Sequence, residues 1–312
     1  MKVFPLAPHE NWICDRFVDE LVSYGPFECV KDPQDADVIW LVADWCWQNI
    51  PISILREKII VATVHHIVPE KFGVREKYEF AYRDQFIDLY HVTYDGTKDF
   101  ISNLTNRPIF TQPFWVNQYL WYTDNVDRCS LKEGLGIDPN VFLIGSFQRD
   151  TEGHDLKSPK LEKGPDLFCD MVEKYHKLKS QDNVHVEVLL GGWRRQYVMK
   201  RLDGVGIKYH YFELPDLDTL RKMYNSLDLY IVAARIEGGP QAIVECAAMN
   251  VPIISTDVGL ARTILSEDSL FTPKNIELAI PSVTAGYNNV SRYFIPHGFE
   301  NFEKRFLELF NC

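Results

Sequence analysis

Short apolar, β-branched runs alternate with amphipathic helical patterns along the whole 312-residue chain. The runs are Val3–Leu6, Val38–Val42, Ile59–Val64, His91–Tyr94, Val141–Gly145, Val184–Leu190, Ile207–Tyr211, Leu229–Ala233 and Pro252–Ser255. Between the first two, Ile13, Phe17, Leu21 and Tyr24 recur at helical spacing, with Asn11 as N-cap and Gly25 as the stop. Such alternation predicts an α/β fold of doubly wound parallel sheets with helices on both faces. Unbroken apolarity in Ile59–Val64 and Leu229–Ala233 predicts strands buried on both sides. Nine runs are too many for one doubly wound sheet, and the polar, Gly- and Pro-bearing stretch 125–140 offers a break. The expected division is a Rossmann-like domain at 1–135, a second at 136–290, and a terminal helix within 291–312. Phe299, Phe302, Phe306 and Leu309 make that helix strongly amphipathic, so it needs a groove to cover. Ligands of open α/β sheets bind beyond the carboxyl ends of the strands, which predicts a site in the cleft between the halves.

The formal charge is -11, from 33 basic and 44 acidic residues. A surface built to neutralise many phosphates needs the opposite excess, so no nucleic-acid partner is expected. A small anionic ligand is compatible with the balance. The seven cysteines are scattered and never spaced Cys-x-x-Cys, which is neither a disulfide framework nor a zinc pattern and points to a reducing compartment. The N-terminal segment turns polar at His9-Glu10-Asn11, too early for a secretory signal, and no run approaches membrane-spanning length. The expected location is cytoplasmic, at most peripheral to a membrane.

The most informative string runs from Leu229 to Gly259. A buried strand ends near Ala234, Arg235–Gly239 forms a Gly-rich turn, and a helix is expected to start at Pro240, a residue suited to the first helical position. Asn250 stands where a left-handed C-terminal cap is wanted, before Val251-Pro252 opens the next strand. Backbone amides feeding a helix N-terminus form an anion-binding device. Glu237 precedes that turn and Glu245 follows Gln241 by one turn on the same face. Taken singly, Glu237 also reads as a solvated loop residue and Glu245 as an exposed helix residue.

Taken whole, the string resembles the retaining glycosyltransferases of family 4, whose GT-B fold sets two Rossmann-like domains face to face. Their signature is a Glu, a Gly-containing turn and a second Glu eight positions on. Here those are Glu237, Gly238-Gly239 and Glu245, followed by Ala247-Ala248 and Val251-Pro252. The resemblance implies that Glu237 lies against the donor sugar, that Glu245 bonds the ribose hydroxyls, and that Gly238, Gly239, Pro240 and Gln241 line the sugar and diphosphate. It also implies that Arg149, after strand Val141–Gly145, and Lys163, before Gly164, bind the diphosphate. A departing nucleoside diphosphate gains negative charge, which fixed cations in a water-poor site stabilise. Residues 150–162 separate the two cations more widely than the family does, and most of that insert reads as a solvated, mixed-charge loop.

Gly191-Gly192-Trp193-Arg194 follows another strand, and Arg194 is either a further phosphate contact or a surface residue. In the first half, Thr63-Val64-His65-His66 matches the family's Thr-x-His, implying His65 near the donor sugar with His66 the close second. The family's first-strand Gly-Gly loop is replaced by Pro8-His9-Glu10-Asn11-Trp12, from which Glu10, Asn11 and Trp12 are expected to shape the acceptor site. By resemblance the terminal helix crosses back to the first domain. Asp35-Ala-Asp37 and Asp216-Leu-Asp218 imitate the Asp-x-Asp of metal-dependent transferases, but acidic residues at such places also serve as caps. Arg149 and Lys163 supply the charge a divalent ion would bring, so no metal and no cofactor are expected. The implied function is transfer of a hexose from a nucleotide sugar to a glycan, lipid-linked or protein acceptor hydroxyl, with retention. A nucleotide-sugar epimerase of the same architecture and a non-catalytic sugar-nucleotide-binding protein are the alternatives.

Overall fold

The computed structural model describes residues 1–10 and 13–310, and contains two compact units: Met1–Asn117 with Tyr293–Cys312, and Gln118–Arg292. The first unit's sheet is built from β1 (Lys2–Leu6), β2 (Glu28–Cys29), β3 (Val38–Leu41), β4 (Ile59–Val64), β5 (Leu89–Val92) and β6 (Ile109–Thr111), all parallel, in the order β2-β1-β3-β4-β5-β6. Helices α1 (Ile13–Tyr24), α2 (Ile52–Glu57), α3 (Val74–Asp84) and α4 (Asp95–Ile101) connect them. In the second unit α5 (Arg128–Gly134) precedes β7 (Phe142–Ser146), and a small antiparallel hairpin, β8 (Thr151–Glu152) with β9 (Ser158–Pro159), follows it. Then come α6 (Pro165–Gln181), β10 (Val186–Gly191), α7 (Gln196–Val205), β11 (Tyr209–Phe212), α8 (Leu217–Asn225), β12 (Leu229–Val232), α9 (Gln241–Ala248), β13 (Ile253–Thr256), α10 (Ala261–Ile264), β14 (Leu270–Phe271) and α11 (Thr284–Val290). The second sheet is again all parallel, in the order β11-β10-β7-β12-β13-β14. Strand order therefore reverses between β7 and β12, and in the first sheet between β1 and β3, where open α/β sheets take ligands.

The domain boundary differs from the expected one: the second unit begins at Gln118, not 136. Polar composition at 125–140 suggested a linker, but α5 is bonded into the second unit. Lys132, only 3% exposed, donates to the Val141 carbonyl and to Asp228 Oδ2 (both 2.7 Å), and the same oxygen accepts Leu143 N (2.8 Å). Arg128 binds the other Asp228 oxygen, and Asp124 pairs with Arg221. The second unit ends at Arg292 rather than 290. Edge strands β2, β6 and β14 are two or three residues long, too short to carry a periodicity that sequence patterning detects.

The last helix, α12 (His297–Glu308), belongs to the first unit and completes its core. Phe299, Phe302 and Phe306 are buried, Phe299 packing on Trp115 (4.2 Å between centroids) and Phe302 on Trp40 (5.6 Å). Gly298 admits this approach, because a Cβ there would stand 2.6 Å from that of Trp115. Polar atoms in this core are chained: Trp40 Nε1 donates to Thr63 Oγ1 (2.9 Å), which meets His91 Nδ1 (3.0 Å), while His91 Nε2 bonds the Gln112 carbonyl (2.8 Å). Burial lowers the His91 pKa to about 3, so the ring stays neutral. Among the described residues no helix is long and apolar enough to cross a membrane.

Truncating Phe302 to Ala removes a fully buried ring from this core. The expected loss is ~3–5 kcal/mol of unfolding free energy, read by urea denaturation followed through tryptophan fluorescence.

Candidate active site

The loops that follow β7 and β12 meet at the switch point of the second sheet. The turn Leu161–Lys163 leads into α6, and its Glu162 carbonyl accepts both Arg235 N (2.8 Å) and Ile236 N (3.1 Å) from the loop after β12. Arg235 clamps the carboxylate of Asp166 in the first turn of α6 with two bonds (2.8 and 2.7 Å). Gly164 makes the approach possible: its φ is 61°, and a Cβ there would lie 1.8 Å from the Ala233 carbonyl oxygen. The consequence is a salt bridge between Lys163 Nζ and Glu237 Oε1, with side chains only 17% and 11% exposed. Two residues 74 positions apart are held in one ion pair by backbone bonds beneath them.

The loop carrying Glu237 is supported from below by Gly259. At φ 51° that residue has no room for a Cβ, which would stand 2.4 Å from the Gly238 carbonyl oxygen. Pro240 is the N-cap of α9 rather than its first helical residue: its ψ of 112° is extended, and Gln241 opens the helix. The C-terminal cap is the expected one. Asn250 has φ 54°, and Val251 N bonds the Cys246 carbonyl (2.9 Å) while Asn250 N bonds that of Ala247 (3.3 Å).

Glu245 is 4% exposed, and its Oε2 accepts the Tyr224 hydroxyl (2.8 Å). Burial, and then the Glu245 charge, raise the Tyr224 pKa well above the usual phenol value, so the hydroxyl remains a donor. Tyr224 packs edge-on against Phe147 (4.7 Å), and Phe147 N donates to the Tyr230 hydroxyl (2.8 Å). The carboxylate thus stands on an aromatic base between β7 and β12. Gly238, Gly239 and Gln241 lie in the same loop-helix unit, where Gln241 Nε2 donates to the Gly239 carbonyl (3.3 Å).

Beyond β7, Gln148 Nε2 donates to the Lys163 carbonyl (2.9 Å), and Arg149 Nε to that of Thr151 (3.1 Å). The Arg149 guanidinium lies 5.2 Å over the Trp193 ring, and that of Arg194 lies 4.4 Å from the same ring. Arg194 Nη1 donates to the Gly153 carbonyl at the tip of the hairpin (3.2 Å), so it braces the hairpin. Its neighbour Arg195 is fully buried and organises the whole corner. Arg195 Nε pairs with Asp150 Oδ2 (2.5 Å), Nη1 donates to the carbonyls of Gly191 (2.7 Å) and Ser146, and Nη2 to Ser146 Oγ (3.1 Å). Breaking such a desolvated, fully bonded pair costs about 3–5 kcal/mol. Sequence reasoning singled out Arg194 and passed over Arg195, Tyr224 and Gly259. No local pattern separates two consecutive arginines, one on each side of a turn.

The first-unit candidates gather around the ends of β1, β3 and β4. His65 Nε2 bonds the Val42 carbonyl (2.8 Å), lies 3.5 Å from Cys14 Sγ, and its ring stacks on Phe114 (5.8 Å). Burial pushes the Cys14 thiol up to about 12, with the Asp15 carboxylate adding to it, so this neighbour is uncharged. His66 is half-buried. Glu10 is exposed, and its backbone N, with that of His9, is held by the Asp15 carboxylate (2.9 and 3.0 Å). Asn11 and Trp12 lie outside the described residues.

The acidic pairs have other work. Asp37 accepts Lys2 N (2.7 Å), Asp35 sits inside a single 3-10 turn capped by Asp32, Asp216 caps α8 through Thr219 N (2.7 Å), and Asp218 pairs with Arg221 and Lys222. Among the described residues no three acidic, cysteine or histidine side chains converge as a metal site.

Replacing Gly164 with Ala imposes a left-handed alanine and a clash with Ala233. The strain alone is about 1–2 kcal/mol, and the clash adds to it; calorimetric unfolding should show a clear loss of stability, and an unchanged midpoint would contradict the close approach.

Residues 156–283 match the family described as glycosyl transferases group 1. The lipopolysaccharide core biosynthesis mannosyltransferase LpsB of Rhizobium meliloti is 25% identical over 136 residues, 43% of this chain and 36% of that protein, so the match spans little more than a third of the relative. In shape the chain resembles Anabaena Alr3699/HepE, crystallised with UDP and glucose (TM-score 0.68, 14% identity, 88% of this chain and 78% of that one). It also resembles sucrose-phosphate synthase from Thermosynechococcus elongatus (TM-score 0.66, 16% identity, 88% and 74%). The fold is therefore the α/β architecture of GT-B glycosyltransferase structures, with two parallel-sheet Rossmann-like domains.

Proposed function

We propose that the chain is a nucleotide-sugar-dependent, retaining glycosyltransferase that moves a hexose to an acceptor hydroxyl. The observation that carries this is the Lys163–Glu237 pair at the switch point of the second sheet, with Arg149 in the neighbouring loop and Glu245 buried behind the turn. The family match over 156–283 includes Lys163, Glu237 and Glu245, and the LpsB and HepE likenesses support sugar transfer as the class of reaction.

The chemistry follows from charge. As the glycosidic bond breaks, the departing diphosphate gains negative charge, and it competes with Glu237 for the Lys163 ammonium. Lys163 and Arg149 stabilise that charge, while Glu237 is left beside the sugar. Glu245, presented by Tyr224, suits bonding to ribose hydroxyls. Retention by reaction on one face lets the leaving phosphate help deprotonate the acceptor hydroxyl, so Glu237 is not assigned as a nucleophile. For His65 we propose the role the resemblance implies, close to the reacting sugar, and for the loop containing Glu10 a part in acceptor binding. With two cations at the diphosphate, the reaction as proposed needs no divalent ion. The described cysteines are unpaired, which supports a reducing, cytoplasmic setting.

Replacing Lys163 with Ala should lower kcat by about 10²–10³-fold, and Glu245→Gln should raise the donor KM, with both variants still folded by circular dichroism. Near-normal kinetics in both variants would remove the site. NMR of the product's anomeric proton decides between retention and inversion, and donor conversion with no acceptor present would instead mark an epimerase. Turnover should persist in EDTA; loss of activity that manganese restores would refute metal independence.

A further inference from the structure

The insert at 150–162 is exposed from 153 to 158, as its sequence suggests, but both of its ends are built into the second unit. Its excursion is closed at the base. Lys160 N donates to the Asp150 carbonyl (2.8 Å), β8 pairs with β9, and Asp150 itself is gripped by buried Arg195. Thr151 fastens the other side: its N bonds the Arg194 carbonyl (3.1 Å), and its Oγ1 accepts Tyr197 N at the start of α7 (2.9 Å). Only the hairpin between these rungs is looped out. The residue that re-enters is Lys160, which starts the turn carrying Lys163: Lys163 N donates to the Lys160 carbonyl (2.9 Å).

We propose that Lys160, delivered by this hairpin, is a third cation of the donor diphosphate site; the assignment rests on the nucleotide-sugar reading above. Its side chain is 25% exposed, and the carboxylate it faces, Glu162 Oε1, lies at 3.9 Å, too far for a hydrogen bond. Burial, and then the positive charges of Lys163 and Arg149, lower its pKa, while Glu162 and Glu237 oppose the shift. Three cations (Arg149, Lys160, Lys163) therefore share one corner with two carboxylates (Glu162, Glu237). Arg149 makes its contacts with uncharged partners, the Thr151 carbonyl and the Trp193 ring. A positive surplus in a protein of net charge -11 is local and built, and a diphosphate is the anion that answers it. Like charges crowded together repel, so each gains from an anion that bridges them. The insert thus separates Arg149 from Lys163 in sequence and adds a binding group one turn before Lys163.

The test is calorimetric titration of the full chain with UDP, GDP and ADP and their monophosphates. For whichever diphosphate the unaltered chain binds, Lys160→Gln should weaken binding about tenfold. It should affect the corresponding monophosphate less and flatten the salt dependence of affinity. Lys160→Arg should keep most of the affinity, and Lys157→Gln, at the exposed end of the same hairpin, should change nothing. Should Lys160→Gln lose its fold by thermal melting, Lys160→Met keeps the aliphatic stem for the same comparison. Equal diphosphate affinity in a folded Lys160 variant overturns the assignment alone. Equal loss of mono- and diphosphate does so as well, by marking a structural role. No binding of any diphosphate by the unaltered chain overturns the nucleotide-sugar reading and this assignment with it.

Discussion

A single carbonyl, that of Glu162, holds the candidate site together. By accepting two consecutive amides from the loop after β12, it locks the turn before α6 against the end of the central strand. The lock closes only because Gly164 leaves room for the Ala233 carbonyl. The ion pair of the second unit is positioned by that seam: Lys163 is carried by one side and Glu237 by the other.

Around the seam, buried polar groups do most of the fixing, with the more exposed Arg235–Asp166 pair alongside. Arg195 and Asp150 sit in a desolvated pair whose remaining donors end on two carbonyls and the Ser146 hydroxyl. Tyr224 aims Glu245, and Gly259 supports the loop of Glu237 and Gly238. Dipoles and charges set in advance at low dielectric do not have to reorganise when charge develops, which is the condition for electrostatic stabilisation of a leaving group. The hairpin fits the same scheme, since its base is part of the Arg195 cluster and its exit is Lys160.

The first unit is stabilised differently. Its core is aromatic, and part of it arrives from the far end of the chain: Phe299, Phe302 and Phe306 fill a space among Trp40, Phe114 and Trp115. Within that core the Trp40–Thr63–His91–Gln112 chain satisfies each polar atom it buries, and His91 stays neutral there. Helix α12 is thereby structural for the first sheet, while the stretch between Gln118 and Arg292 forms a sheet of its own.

Local composition by itself determined the element types, because periodicity and capping act over a few residues. The β-branched runs became parallel strands, Asn250 took its left-handed cap, and the phenylalanine stripe of α12 was legible as a face that had to be covered. The spacing of Glu237 and Glu245 also marked the candidate site, because both lie on one loop-helix unit. What only the tertiary structure decided was every relation across the sheet. It attached α5 to the second unit through Asp228, chose Arg195 over Arg194 for burial, placed Tyr224 on Glu245, and tied the base of a charged insert to Arg195. Those outcomes depend on residues tens of positions apart meeting at strand ends, where sheet order, and not neighbouring sequence, sets who touches whom.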